Sequence, residues 1–191
     1  MGYNLIEDKT FQKIDFQVEN FEIAEYEYCR FEHCNFEATV LNGIKFIDCE
    51  FVHCNLSLAK IENTMFQDCK FTNCKMLGLL FPTANLFNIG FSFKESILDH
   101  CSFGGLKLNK TTFKSCRMHE VDFESTELKE ALFDNCDLQR TNFYRTILEK
   151  ANFTTSYNFQ IDPEENRIVG AKFDLQGLPN LLTKYKLRIQ S

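Results

Sequence analysis

The chain has 191 residues, 44% apolar and 25% charged, with three Pro and eight Gly; this is the composition of one folded domain and excludes a largely disordered chain. Its net charge of −6 excludes a basic phosphate-binding groove and argues against anionic membrane surfaces. No apolar run is long enough for a transmembrane helix, and Met1–Thr10 lacks the basic and apolar regions of a signal peptide, so a cytoplasmic location is expected.

Residues 1–10 are expected to cap the first coil of a repeat. From Phe11 to Phe153 a large apolar residue returns every five positions: Phe11, Phe16, Phe21, Tyr26, Phe31 and onward to Leu86 and Phe91, then, after a slip of two, Phe93, Leu98, Phe103 and onward to Phe153. Of the 21 Phe, 18 belong to this series, so the excess of Phe is core and not an aromatic binding site. A period of five would scatter round an α-helix and alternate between the faces of a straight strand. A chain that turns a corner every five residues buries it. Taking every fourth member gives a column of Phe11, Phe31, Phe51, Phe71 and Phe91, resumed at Phe113, Phe133 and Phe153. A coil of 20 residues with four sides sorts the residue types in this way, and a bulge at Phe91–Phe93 would keep the columns intact.

All nine cysteines (Cys29, Cys34, Cys49, Cys54, Cys69, Cys74, Cys101, Cys116, Cys136) stand two residues before a series member, where Ala, Thr, Ser and Val are the other usual occupants. That position also points inward. Reduced, structural thiols are expected. His33, His53 and His100 each adjoin a Cys, which suggests zinc, but adjacent residues face opposite sides, so each His should face water and no metal is expected. The stretch makes about seven coils, a rod of about 35 Å at about 4.8 Å per coil.

Lys9 and Glu19 fall on inward positions of the first coil, which should therefore be deformed, with Glu19 solvated and regular coils beginning near Phe21. Residues Met76 to Phe93 break character. Leu77, Leu80, Pro82 and Phe87 fall on outward positions, and Leu79 and Ile89 are large for the small inward slot. Either a local deformation tucks them in, or they form an exposed apolar patch for a partner. The second half is more regular, with carboxylates and bases interleaved on its surface. After Phe153 the repeat is expected to stop. Ile161–Asn166 reads as a turn and Ile168–Phe173 as an extended piece. Leu178, Leu181, Leu182 and Tyr185 have the spacing of a short amphipathic helix, and Leu187–Arg188–Ile189 suggests a last strand. Residues 156–191 should thus cap the rod. No phosphate loop, paired-His motif or nucleophile elbow is present, so neither an enzyme nor a cofactor or small-molecule substrate is expected.

Units such as Cys34-Asn35-Phe36, Ala84-Asn85-Leu86, Cys136-Asp137-Leu138 and Ala151-Asn152-Phe153 resemble the pentapeptide-repeat family. That resemblance implies an all-β, right-handed quadrilateral β-helix over residues 11–155 with a short C-terminal helix cap. The central break and the ending Asp162-Pro163-Glu164-Glu165-Asn166-Arg167-Ile168 followed by a Leu-rich segment are similar to the Qnr-type, MfpA and microcin-immunity members. These bind DNA gyrase or topoisomerase IV in place of DNA and protect it from quinolones or toxins. The resemblance implies the same partner here, without binding of nucleic acid, and a homodimer through Leu178, Leu181, Leu182, Tyr185 and Ile189. Duplex DNA would carry on the order of 20 charges over about 35 Å, far more than −6, and the long loops on which protection by some Qnr-type members depends are missing. The alternative is a passive structural or regulatory scaffold that binds an unrelated partner through Leu77, Leu80, Pro82 and Phe87.

Overall fold

The computed structural model describes residues 4–188. The chain winds as a right-handed quadrilateral β-helix of about seven coils. Two of its four walls are continuous enough to form strands. One carries β1 (Asn4–Glu7), β3 (Ala24–Glu27), β5 (Lys45–Ile47) and β7 (Met65–Gln67). The next carries β2 (Thr10–Gln12), β4 (Arg30–Glu32), β6 (Glu50–Val52), β8 (Cys69–Thr72), β9 (Phe91–Lys94), β10 (Thr112–Lys114) and β11 (Leu132–Asp134). Every pairing is parallel. The other two walls are ladders of single bridges, one through Asp15, Asn35, Asn55, Lys75, Ile97, Arg117, Asp137 and Tyr157, the other including Val40–Lys60 and Leu80–Ser102–Asp122–Asn142. We call them, in chain order, the first (β1) wall, the second (β2) wall, the third (Asp15) wall and the fourth (Val40) wall.

Large apolar side chains stack along the axis. Phe11, Phe31, Phe51, Phe71, Phe93, Phe113, Phe133, Phe153 and Phe173 form one unbroken ring column, with centroids 4.6–5.4 Å apart and planes within 14°. That is the range in which offset aromatic rings attract. Each such burial contributes roughly 1.5–3 kcal/mol as an upper value, so stability accumulates coil by coil.

The small inward residues obey a second rule. Cys49 Sγ donates to the Tyr26 carbonyl (3.3 Å), Cys54 to Phe31 (3.3 Å), Thr64 Oγ1 to Leu41 (2.8 Å), Thr126 to Phe103 (2.9 Å) and Ser156 to Phe133 (2.8 Å). Each donor reaches the carbonyl 23 residues back, that of the residue one coil below the large residue that precedes the donor by three positions. A donor there needs a buried acceptor; this carbonyl supplies one, and the carbonyl two residues back also lies 3.4–3.5 Å from Cys49, Cys54 and Thr126. All nine thiols are buried and unbridged.

The corners are made by residues in the left-handed region. Among the described residues φ is positive at 25 that are not glycine, most of them two positions after the large residue, including Lys13, His33, His53, Lys110, Glu130 and Arg145. A side chain in that region costs roughly 1–2 kcal/mol. The corner N–H meets the next coil, as in His33 N to Val52 O at 2.9 Å and Glu130 N to Glu149 O at 2.9 Å. His33, His53 and His100 occupy such corners and face solvent.

Three sequence expectations change. The insertion is not at Phe91–Phe93. Met65 pairs with Asn85, 20 residues on, whereas Cys69 pairs with Phe91 and Phe71 with Phe93, 22 residues on. The two extra residues therefore enter between Asn85 and Phe91, and β9 is a straight strand with both Phe91 and Phe93 inward. Leu86, a series member, is expelled and 51% exposed, while Phe91 is buried against Phe66 and Phe81. The repeat also does not stop at Phe153: Arg167 and Lys172 pair with Ile147 and Asn152, and Phe173 stacks on Phe153 at 5.4 Å. It was hidden because Phe159 and Ile161, not a residue at 158, fill that side of the core. Finally, the C-terminal helix is two 3₁₀ turns, Leu178–Leu181 and Thr183–Tyr185, whose hydrogen bonds span three residues. Lys186, left-handed at φ 50°, ends the second turn. Leu187 and Arg188 are not in a strand, and Ile189 lies outside the described residues.

The first coil is deformed on its fourth side, as expected, and Glu19 is exposed. Thr39 lies one coil above and should reach the Phe16 carbonyl; instead its Oγ1 is the buried side-chain oxygen without a partner among the described residues.

Candidate protein-binding surfaces

The outward side chains decide what the rod presents. Those on adjacent coils stand one above another, so residues 18 or 20 apart pair along a wall. In the C-terminal half they neutralise each other: Lys107–Glu127 (3.7 Å), Lys129–Glu149 (3.3 Å), Lys114–Asp134 (3.5 Å), Arg117–Asp99 (2.7 Å) and Arg140–Glu120 (2.7 Å), while the His119 ring hydrogen-bonds Asp137 at 2.7 Å. Residues 91–191 hold 14 carboxylates and 14 Lys or Arg. Residues 1–90 hold 13 against seven. The whole net charge of −6 thus resides in the N-terminal half, a division that a total over the chain conceals.

Within that half the first wall is the acidic one. Glu7 and Glu27 are in register, Glu25 stands above Leu5, and the corner after each strand adds Asp8, Tyr28, Asp48 and Asp68. Lys45 pairs with Glu25 at 2.6 Å; Glu7, Asp8, Glu27, Asp48 and Asp68 are in none of the ion pairs of the described residues. Partial burial, and then the neighbouring Glu25, Glu7 and Asp48, push the Glu27 carboxyl up.

The four residues expected as a partner surface lie on three walls. Leu77 is half-buried on the third wall beside Lys75. Leu80 and Pro82 are exposed on the fourth wall, where a 3₁₀ turn, Phe81–Thr83, replaces the regular side. There Leu80 borders a shallow hollow with Leu58, Ile61 and Gly78. Phe87, 67% exposed, lies above the first wall with Leu86. The break is therefore not one flat patch. Sequence reasoning missed Leu86, because its spacing and its Ala84-Asn85-Leu86 unit match an inward residue.

At the far end the chain folds back over the last coil. Lys184 binds Asp162 (2.8 Å) and Glu164 (2.6 Å), and Tyr185 OH bonds Glu164. Gly177 lies so close to Phe159 that a Cβ would stand 2.8 Å from its ring. Leu181 packs on the core, Leu182 is half-buried, and Leu178 and Tyr185 are exposed. With Leu175 and Leu187 also exposed, this end carries more apolar surface than a cap needs.

Both the wall geometry and the repeat agree with a family model, the pentapeptide repeat region, which matches residues 24–103 and 80–157. The chain belongs to the pentapeptide-repeat family. No curated protein sequence matches it. Among solved structures, this pentapeptide-repeat chain is similar to two trypsin-treated forms of QnrB1, described as a plasmid-mediated fluoroquinolone resistance protein. Identities are 15% and 16%, TM-scores 0.63 and 0.64, and 98% of each chain is covered. The likeness is one of fold. No helix among the described residues of this pentapeptide-repeat protein is long and apolar enough to cross a membrane.

Proposed function

We propose that the protein is a non-enzymatic, cytoplasmic rod that binds a type II topoisomerase, DNA gyrase or topoisomerase IV, at a surface that otherwise holds DNA. The observation that carries this reading is the local charge density of the first wall. Its carboxylates Glu7, Asp8, Glu25, Glu27, Asp48 and Asp68, less Lys45, leave five net negative charges over four coils. Four coils span about 14 Å, over which duplex DNA carries about eight charges. The whole chain falls far short of duplex density, whereas this wall approaches it. A homodimer through Leu178, Leu181, Leu182 and Tyr185 would place two such walls on one elongated particle. Protection of the enzyme from a quinolone or a toxin would follow from occupying its DNA site.

The test is the supercoiling reaction of DNA gyrase with purified protein. Inhibition that weakens as salt rises supports the reading, and absence of binding to either topoisomerase at micromolar concentration removes it. The hollow at Leu58 and Leu80 favours a second reading, a scaffold for an unrelated protein partner. Loss of that partner on Leu80→Asp, with supercoiling untouched by the wild type, would select it.

A further inference from the structure

The two-residue insertion creates a surface as well as a defect. The chain leaves the first wall after Asn85, which is bridged to Met65, and returns at Gly90. There Gly90 N donates to the Phe66 carbonyl and Gly90 O accepts from Cys69 N, both at 3.0 Å. Between these anchors Leu86–Ile89 form a blister above Met65–Asp68. Its form is held from within: Asn85 Oδ1 accepts the Phe87 N–H at 3.0 Å, Asn88 is left-handed with φ 52°, and Ile89 packs down on the core. A Cβ at Gly90 would stand 3.0 Å from Asp68 Oδ1 and 3.1 Å from its backbone nitrogen, so the blister sits directly against Asp68. Leu86 and Phe87 are the side chains it holds in water.

We propose that Leu86 and Phe87 are the apolar anchor of a docking surface whose occupant is a cationic protein segment, one with a large apolar side chain flanked by Lys or Arg. Charge complementarity selects this occupant. Asp68 lies one coil below the blister, Asp48 two and Glu27 three, beside the Lys45–Glu25 pair, with half-buried Ile47 and Met65 between them on the same wall. A second copy would bring an identical acidic wall to the interface, and like charges across an interface oppose association. DNA and an anionic lipid surface are repelled for the same reason. A cationic segment is steered by the carboxylates and held by burial of the two exposed side chains, the pattern of a central anchor with a charged rim. This deepens the topoisomerase reading by naming the face and the chemistry of its contact, and rests on it only for one of the two probes below.

The experiment compares wild type, Phe87→Ser, the double variant Asp48→Asn/Asp68→Asn, and Leu80→Ser, an exposed residue on another wall. The first probe is a fluorescein-labelled amphipathic peptide of lysine and leucine, followed by anisotropy. Wild type binds it at low salt, Phe87→Ser weakens binding about tenfold or more, the double variant flattens the salt dependence, and Leu80→Ser changes nothing. No binding by wild type at low salt, or equal binding by all four proteins, overturns the proposal. The second probe is DNA gyrase. If wild type binds gyrase and Phe87→Ser binds it equally, the docking surface falls while the topoisomerase reading stands. If wild type binds the peptide in the expected pattern but not gyrase, the surface stands and the topoisomerase reading falls.

Discussion

Phe91 stands in register with Cys69, and it is Phe93 that stacks on Phe71, 5.3 Å away at 14°. Phe91 thus occupies a position where other coils of the wall have Cys29, Cys49, Cys69, Thr111 and Ala131, and its ring fills the space that Leu86 has left, 5.9 Å from Phe66 and 4.9 Å from Phe81. The two positions should respond in opposite ways to substitution. Leu86→Asp, in water, should change stability by less than about 0.5 kcal/mol, whereas Phe91→Ala should cost about 3–5 kcal/mol. Urea denaturation of the two variants checks this. A large loss for Leu86→Asp would mean that Leu86 is the core residue and that the insertion lies after it.

The rule linking each small inward donor to the carbonyl 23 residues back predicts the order of tolerated substitutions at Thr64, whose hydroxyl bonds Leu41 O at 2.8 Å. Thr64→Val keeps the volume but removes the hydroxyl bond, while the Leu41 carbonyl keeps the Ile44 N–H at 3.2 Å, so the loss should be about 0.5–1.5 kcal/mol. Thr64→Cys keeps a weaker donor and should cost less. The two donors whose bonds span the insertion, Ser96 and Cys101, reach 25 residues back, to Phe71 and Met76, which shows that the rule follows space and not sequence number. If Thr64→Val proves as stable as wild type, the bond contributes nothing.

How much of this could be read from the sequence depends on what each signal encodes. The core was legible because one side chain per side must be large and one small, and that constraint recurs every five residues without regard to surface. The columns of Phe and the inward thiols came from it directly. The place of the insertion did not, because Leu86 and Phe91 are both apolar and both in phase, and their competition for one space is decided by packing against Phe66 and Phe81. The last coil is hidden in the sequence because Phe159 enters the core one residue out of phase. The acidic wall was invisible to a pattern that treats all outward positions alike: it depends on which of four walls each carboxylate falls on.

Corners offer a route to greater stability. Lys110 has φ 62°, is exposed, and holds its place through Lys110 N to Lys129 O at 2.8 Å. Lys110→Gly removes the left-handed penalty of roughly 1–2 kcal/mol and adds backbone entropy to the unfolded chain of about 0.5–1 kcal/mol, so the net should lie between no change and about 1.5 kcal/mol of stabilisation. Lys110→Val should destabilise by more than about 1 kcal/mol, since a β-branched residue is still less tolerant there. Thermal unfolding of both variants tests the corner account.

Glu27 should reveal the acidic wall as a cost to folding. Partial burial, followed by the charges of Glu25, Glu7 and Asp48, raises its folded-state affinity for a proton above that of the unfolded chain. A group so raised favours the folded state most below its unfolded pKa, near 4.3, and that contribution is lost as pH rises through the folded value. Glu27→Gln should therefore shift the urea midpoint upward at pH 7 and leave it unchanged near pH 3. A midpoint lowered at pH 7 would show Glu27 making a favourable interaction instead.

The C-terminal segment separates capping from dimerisation. Capping rests on Leu181 against the core, on Gly177 beside Phe159, and on the ion pairs of Lys184 with Asp162 and Glu164. The side chains left over are Leu178 and Tyr185, each nearly half exposed, with Leu175 and Leu187. Leu178→Asp places a charge in the proposed interface without touching the cap. It should halve the mass seen by light scattering and leave the thermal midpoint, measured at a concentration where wild type is monomeric, within about 2 °C. Lys184→Ala breaks the fold-back at Asp162 and should lower that midpoint. An unchanged mass for Leu178→Asp would remove the dimer, and would leave the exposed leucines at this end as the next surface to explain.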